Sequence, residues 1–301
     1  MSLRISFIGH LTIDEIEYAD NVIRVSPGGT AFYSSLTATQ LGCNSRVYSV
    51  IGEDYPEEYL ETLSANGVNI AKIVRRNESK STRYRIIYRD GKREMFLLEK
   101  APTIEVGEIE DLDAVYLGPV AQEVTIDDVK KIIRNFRTAI DPQGILRVFD
   151  EKGRVALEKS LDLSMLGKAW ILRLSYEEAV TLTDMINPVQ VIEKLLNAGI
   201  ENIVLSMGSK GLITANDKVK YFIPAYSESN VVDPTGAGDV LGGAFLVELL
   251  SSGDLLWASC IGASAASISI EDYAANSILS KDFKKKLVTR AYEVMDRIRR
   301  I

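Results

Sequence analysis

The chain has 301 residues, 46% of them hydrophobic, with 35 basic against 42 acidic side chains and a formal net charge of −7. It is long enough to bury the core of one large domain, with or without a small accessory lobe, and its acidic balance argues against non-specific nucleic-acid binding. His10 is the only histidine, which excludes any multi-histidine metal site, so chemistry is expected to run on carboxylates, Lys/Arg, hydroxyls, backbone amides or a borrowed metal.

Residues 3–9 are a short apolar run ending in glycine, the pattern of a buried strand. Residues 30–41 follow Pro27-Gly28-Gly29 and close on Gly42, which predicts a helix with a glycine stop. A strand over 46–51 and a helix over 57–65, stopped by Asn66-Gly67, come next. Between Lys72 and Lys100 the character changes. Tyr84, Ile86 and Tyr88 alternate with Arg83, Arg85 and Arg89 ahead of an Asp90-Gly91 turn, a hairpin signal that predicts a small β lobe outside the main sheet.

From Asp113 strands and helices alternate again. AVYLG, TAID, AWILRLS and NIVLSMG read as strands, with helices over 126–136, about 177–183 and 188–198, and a second hairpin turning at Asn216-Asp217. Helices are expected over 236–251, about 254–270 and 281–300, the last with Leu287, Ala291, Val294 and Ile298 on one side. Repeated strand-helix units with short loops imply an open parallel sheet covered on both faces. No apolar run is long and clean enough to span a bilayer, the N-terminus reads as a strand rather than a leader, and Cys43 and Cys260 suggest no disulfide framework, so a cytoplasmic protein is expected.

The sharpest local feature is Asp233-Pro234-Thr235-Gly236-Ala237-Gly238-Asp239. Val231-Val232 read as the end of a strand, Pro234-Thr235 as a turn, and a helix begins at about Ala237. Free amides at a helix N-terminus attract anions, and Asp239 adds a carboxylate in the first turn. Taken alone, the glycines could serve only a tight turn and the Asp only the helix dipole. Two phosphate motifs do not fit: no stretch matches G-x-x-x-x-G-K-[ST], and Leu241 stands where a dinucleotide fingerprint needs its third glycine.

The whole string DPTGAGD, with Gly-Gly-Ala-Phe after it, resembles the C-terminal signature of the ribokinase/PfkB-like carbohydrate kinases, D-T-x-G-A-G-D. SFIGHLTID, SPGGTAFYSS, YSVIGEDYPEEYLETLSANGV, TAIDPQGILR, LSYEEA and LSMGSKGLI resemble the family's pattern in its order, so the likeness covers nearly the whole chain. It implies a single ribokinase-like α/β domain over 1–301, its mostly parallel central sheet flanked by helices, with a small β-sheet lid from about 12–26 and 72–100. It also implies ATP-dependent phosphorylation of a hydroxyl on a sugar or cyclitol, with a nucleoside as the alternative acceptor and a non-catalytic ligand-binding relative as a further rival.

By the same resemblance the amides of Gly236, Ala237 and Gly238 form an anion hole for the transferring phosphoryl group, and Asp239 is the base. Asp14, Gly28, Gly29 and Tyr33 face the acceptor; Tyr33 stands where the family often has Asn, and reads equally as core packing. Ser175, in the family's Asn position, and Ser206, Gly208, Lys210 and Gly211 contact the nucleotide. Glu178 organises Mg²⁺ through water; alone it would read as a solvated helix residue. No monovalent cation site is assigned. The lid implies a homodimer contact, and its Arg83, Arg85, Arg89 and Arg93 are either a solvated face or a grip on an already phosphorylated substrate.

Overall fold

The computed structural model describes residues 2–18, 20, 22–89, 92–109, 112–227 and 230–301. The expected turn at Asp90-Gly91 lies outside them. A ten-stranded sheet forms the body. From one edge its strands are Asn69–Arg76, Asn44–Gly52, Arg4–Ile8, Ala114–Leu117, Thr138–Ile140, Ile171–Ser175, Asn202–Ser206, Leu212–Ala215, Lys220–Ile223 and Arg299–Arg300. All pairings from the first strand to Asn202–Ser206 are parallel, and those beyond it are antiparallel.

Successive side chains on a strand point to opposite faces. Phe7, Tyr116 and Val204 accordingly enter one apolar cluster, while Ile8, Val115, Leu117, Ile203 and Leu205 enter another. The first cluster is closed by helices Thr30–Gln40, Ala237–Ser252, Leu255–Ser269 and Phe283–Met295, the second by Ile126–Asn135, Tyr176–Thr183 and Pro188–Asn197. Burial on both faces is why these strands read as unbroken apolar runs. Helix Ile126–Asn135 shows the local logic: Thr125 caps it by accepting from the Asp128 amide, and Val129, Ile132 and Ile133 form its buried stripe.

A second, four-stranded sheet has the order Ile23–Gly28, Thr12–Glu17, Arg83–Arg89, Lys92–Glu99, with a parallel middle pair and antiparallel outer pairs. It packs through Ile16, Tyr84 and Ile86 against Val120 and Ala121. Its outer strand is fastened to a short hairpin, Arg147–Phe149 with Val155–Leu157, by a bond from the Leu97 amide to the Gly153 carbonyl at 2.7 Å.

The small sheet departs from expectation at one boundary. Residues 72–76 belong to Asn69–Arg76, the parallel edge strand of the main sheet, whose Ile70 and Ile73 pack on the first core cluster. Two other expectations also change. Val231-Val232 are not in a strand, and the last helix ends at Met295, leaving Arg299–Arg300 to pair with Lys220–Ile223.

The strand order reverses direction around Arg4–Ile8, so the loops after it and after Ala114–Leu117 leave the sheet in opposite directions. A crevice at the carboxyl ends of parallel strands is the usual ligand site of such a sheet. One side chain bridges these loops. The Glu123 carboxylate, 0% exposed, accepts from the amides of His10 at 2.8 Å, Val120 at 2.9 Å and Ala121 at 2.6 Å. Glu123→Ala should lower unfolding stability by about 3 kcal/mol or more, because it strands three buried donors. Glu123→Gln, which keeps one acceptor oxygen, should lose less; equal denaturation midpoints for wild type and Glu123→Ala would contradict this role.

Candidate active site

Gly236 caps helix Ala237–Ser252 in the left-handed region at φ 77°, where a side chain would be strained, and no side chain caps that end. The amides of Gly236 and Gly238 find no partner among the described residues, and that of Ala237 makes only a long 3.4 Å bond to the Pro234 carbonyl. Such orphan amides, added to the helix dipole, form a ready anion seat. Gly238 has a separate reason to be glycine: a Cβ there would lie 1.9 Å from Nη2 of Arg173. Arg173 is buried in the middle of strand Ile171–Ser175, paired with Asp141 at 2.6 Å and donating to Ser206 Oγ at 3.3 Å. A cation therefore underlies the amide-rich turn.

Asp239 sits in the first turn of that helix. Its Oδ1 accepts from Thr30 Oγ at 2.8 Å and from Gln143 Nε2 at 3.3 Å. The same Gln143 nitrogen donates to Thr30 Oγ at 2.7 Å, and Gln143 Oε1 accepts from Arg147. Both side-chain donors converge on Oδ1, so Oδ2 carries no hydrogen bond among the described residues. Burial pushes the Asp239 carboxyl above the usual carboxylate range, against the opposing Arg173 charge and the Thr30 hydrogen bond.

Asp239, Gly236, Gly29, Tyr33 and Asp14 line one small cleft of about 40 Å³ between the main sheet and the small sheet. Asp14, 5% exposed, takes a hydrogen bond from Thr12 Oγ at 2.7 Å, and burial raises its carboxyl to about 6. Gly28 lies directly against that carboxylate. Tyr33 proves to be mainly a core residue. It is 1% exposed, its ring backs Gly236, and its hydroxyl donates to the Pro27 carbonyl at 3.2 Å. It forms the wall of the cleft rather than a polar contact within it.

The second group of expected residues does not reach this cleft. Ser175 and Ser206 are register partners at the ends of adjacent strands, and Gly208–Lys210 forms the turn that follows. Gly208 and Lys210 are exposed, whereas Gly211 is buried against the Ile223 carbonyl. Ser175 and Glu178 form a capping box: Ser175 Oγ accepts from the Glu178 amide at 3.3 Å, and Glu178 Oε2 accepts from the Ser175 amide at 2.8 Å. Glu178 is thus buried, not a solvated helix residue. Arg173 joins the two groups, since it touches both Gly238 and Ser206.

Thr30, Gln143, Arg147 and Arg173 were not singled out from the sequence. Arg173 had a readable signal, a charge inside the apolar strand WILRLS, since buried arginines need a partner. His10 serves the fold. Its Nδ1 lies 2.7 Å from Thr82 Oγ and its Nε2 2.9 Å from the Pro102 carbonyl, and burial lowers its pKa.

Tyr33→Ala should cost about 3–5 kcal/mol of stability by opening a void behind Gly236, and Tyr33→Phe, which loses one hydrogen bond, about 1 kcal/mol. Chemical denaturation reads both; an Ala variant unfolding at the wild-type midpoint would remove the ring from the core.

Three comparisons bear on this geometry. A cytidine kinase of Thermococcus kodakarensis is 26% identical over 254 residues, covering 79% of this chain and 86% of that protein. The crystal structure of the nucleoside kinase of Methanocaldococcus jannaschii, described as an archaeal member of the ribokinase family, superposes with a TM-score of 0.78 at 23% identity, covering 96% of this chain and 98% of the other. A pyrophosphate-dependent kinase of the ribokinase family, solved as a sulfate complex, superposes with a TM-score of 0.79 at 22% identity, covering 88% of this chain and 95% of the other. The pfkB family carbohydrate kinase model matches residues 2–282. A ribokinase fold, a helix start left open to an anion and a carboxylate held in its first turn occur together in a chain that belongs to the PfkB family of carbohydrate kinases.

Proposed function

We propose that this chain transfers the γ-phosphoryl group of ATP to a hydroxyl of a sugar or cyclitol. One observation carries the reading: an uncapped helix N-terminus and an anchored carboxylate share a single turn at the edge of the cleft between the two sheets. Asp239 takes the proton from the attacking hydroxyl at Oδ2, while Thr30 and Gln143 hold Oδ1. The amides of Gly236, Ala237 and Gly238 receive the transferring group, and the Arg173 charge beneath Gly238 strengthens that field. Phosphoryl transfer gains most from such positioning and fixed charge.

Asp14 and the Gly28-Gly29 turn hold the acceptor hydroxyls, with Tyr33 as the wall behind them. Ser175, Ser206, Gly208, Lys210 and Gly211 border the nucleotide. Mg²⁺, when bound, neutralises phosphate charge. Among the described residues no cluster of three or more His, Cys, Asp or Glu could hold a metal. That fits an ion held mostly by phosphate oxygens and waters. Glu178 is the residue that would organise those waters, through Oε1, which the capping box leaves out.

The small sheet acts as a lid that excludes water from the transfer. Its strand Ile23–Gly28 is a free edge with Ile23 and Val25 each 55% exposed, the surface on which a homodimer would form. Among the described residues no helix is long and apolar enough to cross a membrane. The buried thiols of Cys43 and Cys260 suit the cytoplasm. A nucleoside acceptor is the second reading, favoured by the activities for which the T. kodakarensis and M. jannaschii relatives are named.

The test is product formation from ATP and Mg²⁺, with pyrophosphate as a parallel donor, over sugars, cyclitols and nucleosides. Asp239→Asn should lower turnover by roughly 10²–10⁴-fold with the fold intact; a near-wild-type rate in that variant would exclude Asp239 as base. Two pH effects follow. Because its carboxyl is raised, Asp239 loses its base form at higher pH than an ordinary carboxylate, so the acid limb of kcat/KM should lie above the usual carboxylate range. Asp14 takes up its proton as pH falls through about 6, so the acceptor KM should rise there while the donor KM does not, and Asp14→Asn should abolish that rise.

A further inference from the structure

The arginines around the cleft are not equivalent. On strand Arg83–Arg89 every arginine has a carboxylate partner. Arg83 pairs with Glu15 at 3.1 Å and Asp54 at 3.4 Å, Arg85 with Glu17 at 2.8 Å, and Arg89 with Glu17 at 3.0 Å. Arg154 on the neighbouring hairpin pairs with Glu94 at 2.8 Å, and Arg173 with Asp141 at 2.6 Å. Two arginines break the pattern, and both line the cleft.

Arg93 stands opposite Tyr88 on the facing strand of the small sheet. It has no carboxylate within 4 Å among the described residues. Arg147, 7% exposed, enters the same cleft from the first position of the short hairpin strand Arg147–Phe149. Its partners are neutral: the Val120 carbonyl at 2.9 Å, the Gln143 amide oxygen, and the Tyr84 ring with its centroid at 5.6 Å. Asp14 and Asp239 share the cleft, but their hydrogen bonds go to Thr12, Thr30 and Gln143 and neither reaches a guanidinium. The Arg147 guanidinium is withdrawn from water without a counter-ion at contact distance, which is costly, while Arg93 reaches the cleft from an exposed position. A fork of this kind suits an anion with two or more oxygens.

Resting on the kinase reading, we propose that the acceptor carries an anionic group, a phosphomonoester or a carboxylate, in addition to the hydroxyl offered to Asp239, and that Arg147 and Arg93 hold that group. The cleft then has two ends. Asp239 and the open helix start face the hydroxyl, and the two guanidiniums face the anion. The acceptor would then be a sugar phosphate or a sugar acid rather than a neutral sugar.

Matched pairs test it: fructose 6-phosphate against fructose, gluconate against sorbitol, and cytidine 5′-monophosphate against cytidine. Each is assayed for phosphorylation with ATP and Mg²⁺ and for binding by calorimetry without donor. The anionic member should win in kcat/KM by on the order of 10²-fold in at least one pair, and the phosphate and carboxylate pairs separate the two chemistries. Arg93→Gln, at an exposed position that the fold does not need, should shrink that preference about 10-fold or more, chiefly through KM. Arg147→Lys, which keeps the charge and loses the fork, should also shrink it.

Preference for the neutral member throughout, or an undiminished preference in Arg93→Gln, overturns the inference and leaves the kinase reading intact. Binding of an anionic compound that Arg93→Gln weakens, with no phosphorylation of anything, supports the subsite and overturns the kinase reading instead. Absence of binding by either class overturns the subsite.

Discussion

The site depends on how one carboxylate oxygen is held. Asp239 Oδ1 is gripped by Thr30 from the start of helix Thr30–Gln40 and by Gln143 from the start of the short helix Gln143–Leu146 that follows strand Thr138–Ile140. Gln143 is itself fixed by Thr30 and Arg147. Three segments distant in the chain thus meet on one atom. In the proposed role of base, a carboxylate with its first oxygen clamped and its second free would present its lone pairs in one direction, the preorganisation that proton transfer rewards. Without the clamp the Asp would swing with the fraying first turn of its helix.

Placing a carboxylate beside open helix amides is a conflict of charge, because Asp239 would repel any anion that the amides attract. The chain answers it with buried cations. Arg173 lies under Gly238 and Arg147 behind Gln143, and both lower the cost of keeping Asp239 ionised. Glycine at 238 is what lets the first of these come close. The Asp141 carboxylate anchors Arg173 in turn, so the positive charge stays at a fixed distance instead of closing on the base.

What could be read from the sequence was local. Helix Glu57–Ala65 is bounded by its own acidic first turn and its Asn66-Gly67 stop, and the DPTGAGD turn carries its glycines and Asp within seven residues. The clamp was not legible, because Thr30 and Gln143 lie 209 and 96 residues from the Asp they hold. The lid boundary was misread for a different reason. Asn69–Arg76 is an edge strand with one face exposed, so it alternates as a lid strand does, and only pairing with Asn44–Gly52 tells them apart. The hairpin beginning at Arg147 has strands of three residues, too short for a period to show. Tyr33 was open between pocket and core because its neighbour Gly236 is 203 positions away in the chain.

The small sheet is not a free flap. At one end strand Ile23–Gly28 runs straight into the helix whose first residue, Thr30, grips the base. At the other, Leu97 is bonded to the hairpin that starts at Arg147, the residue that steadies Gln143. The sheet is a lever with both arms attached to the clamp on Asp239. Lifting it would loosen the hold on Asp239 as well as open the cleft. On the proposed kinase reading, protection against wasteful hydrolysis of the donor would arise from this connectivity.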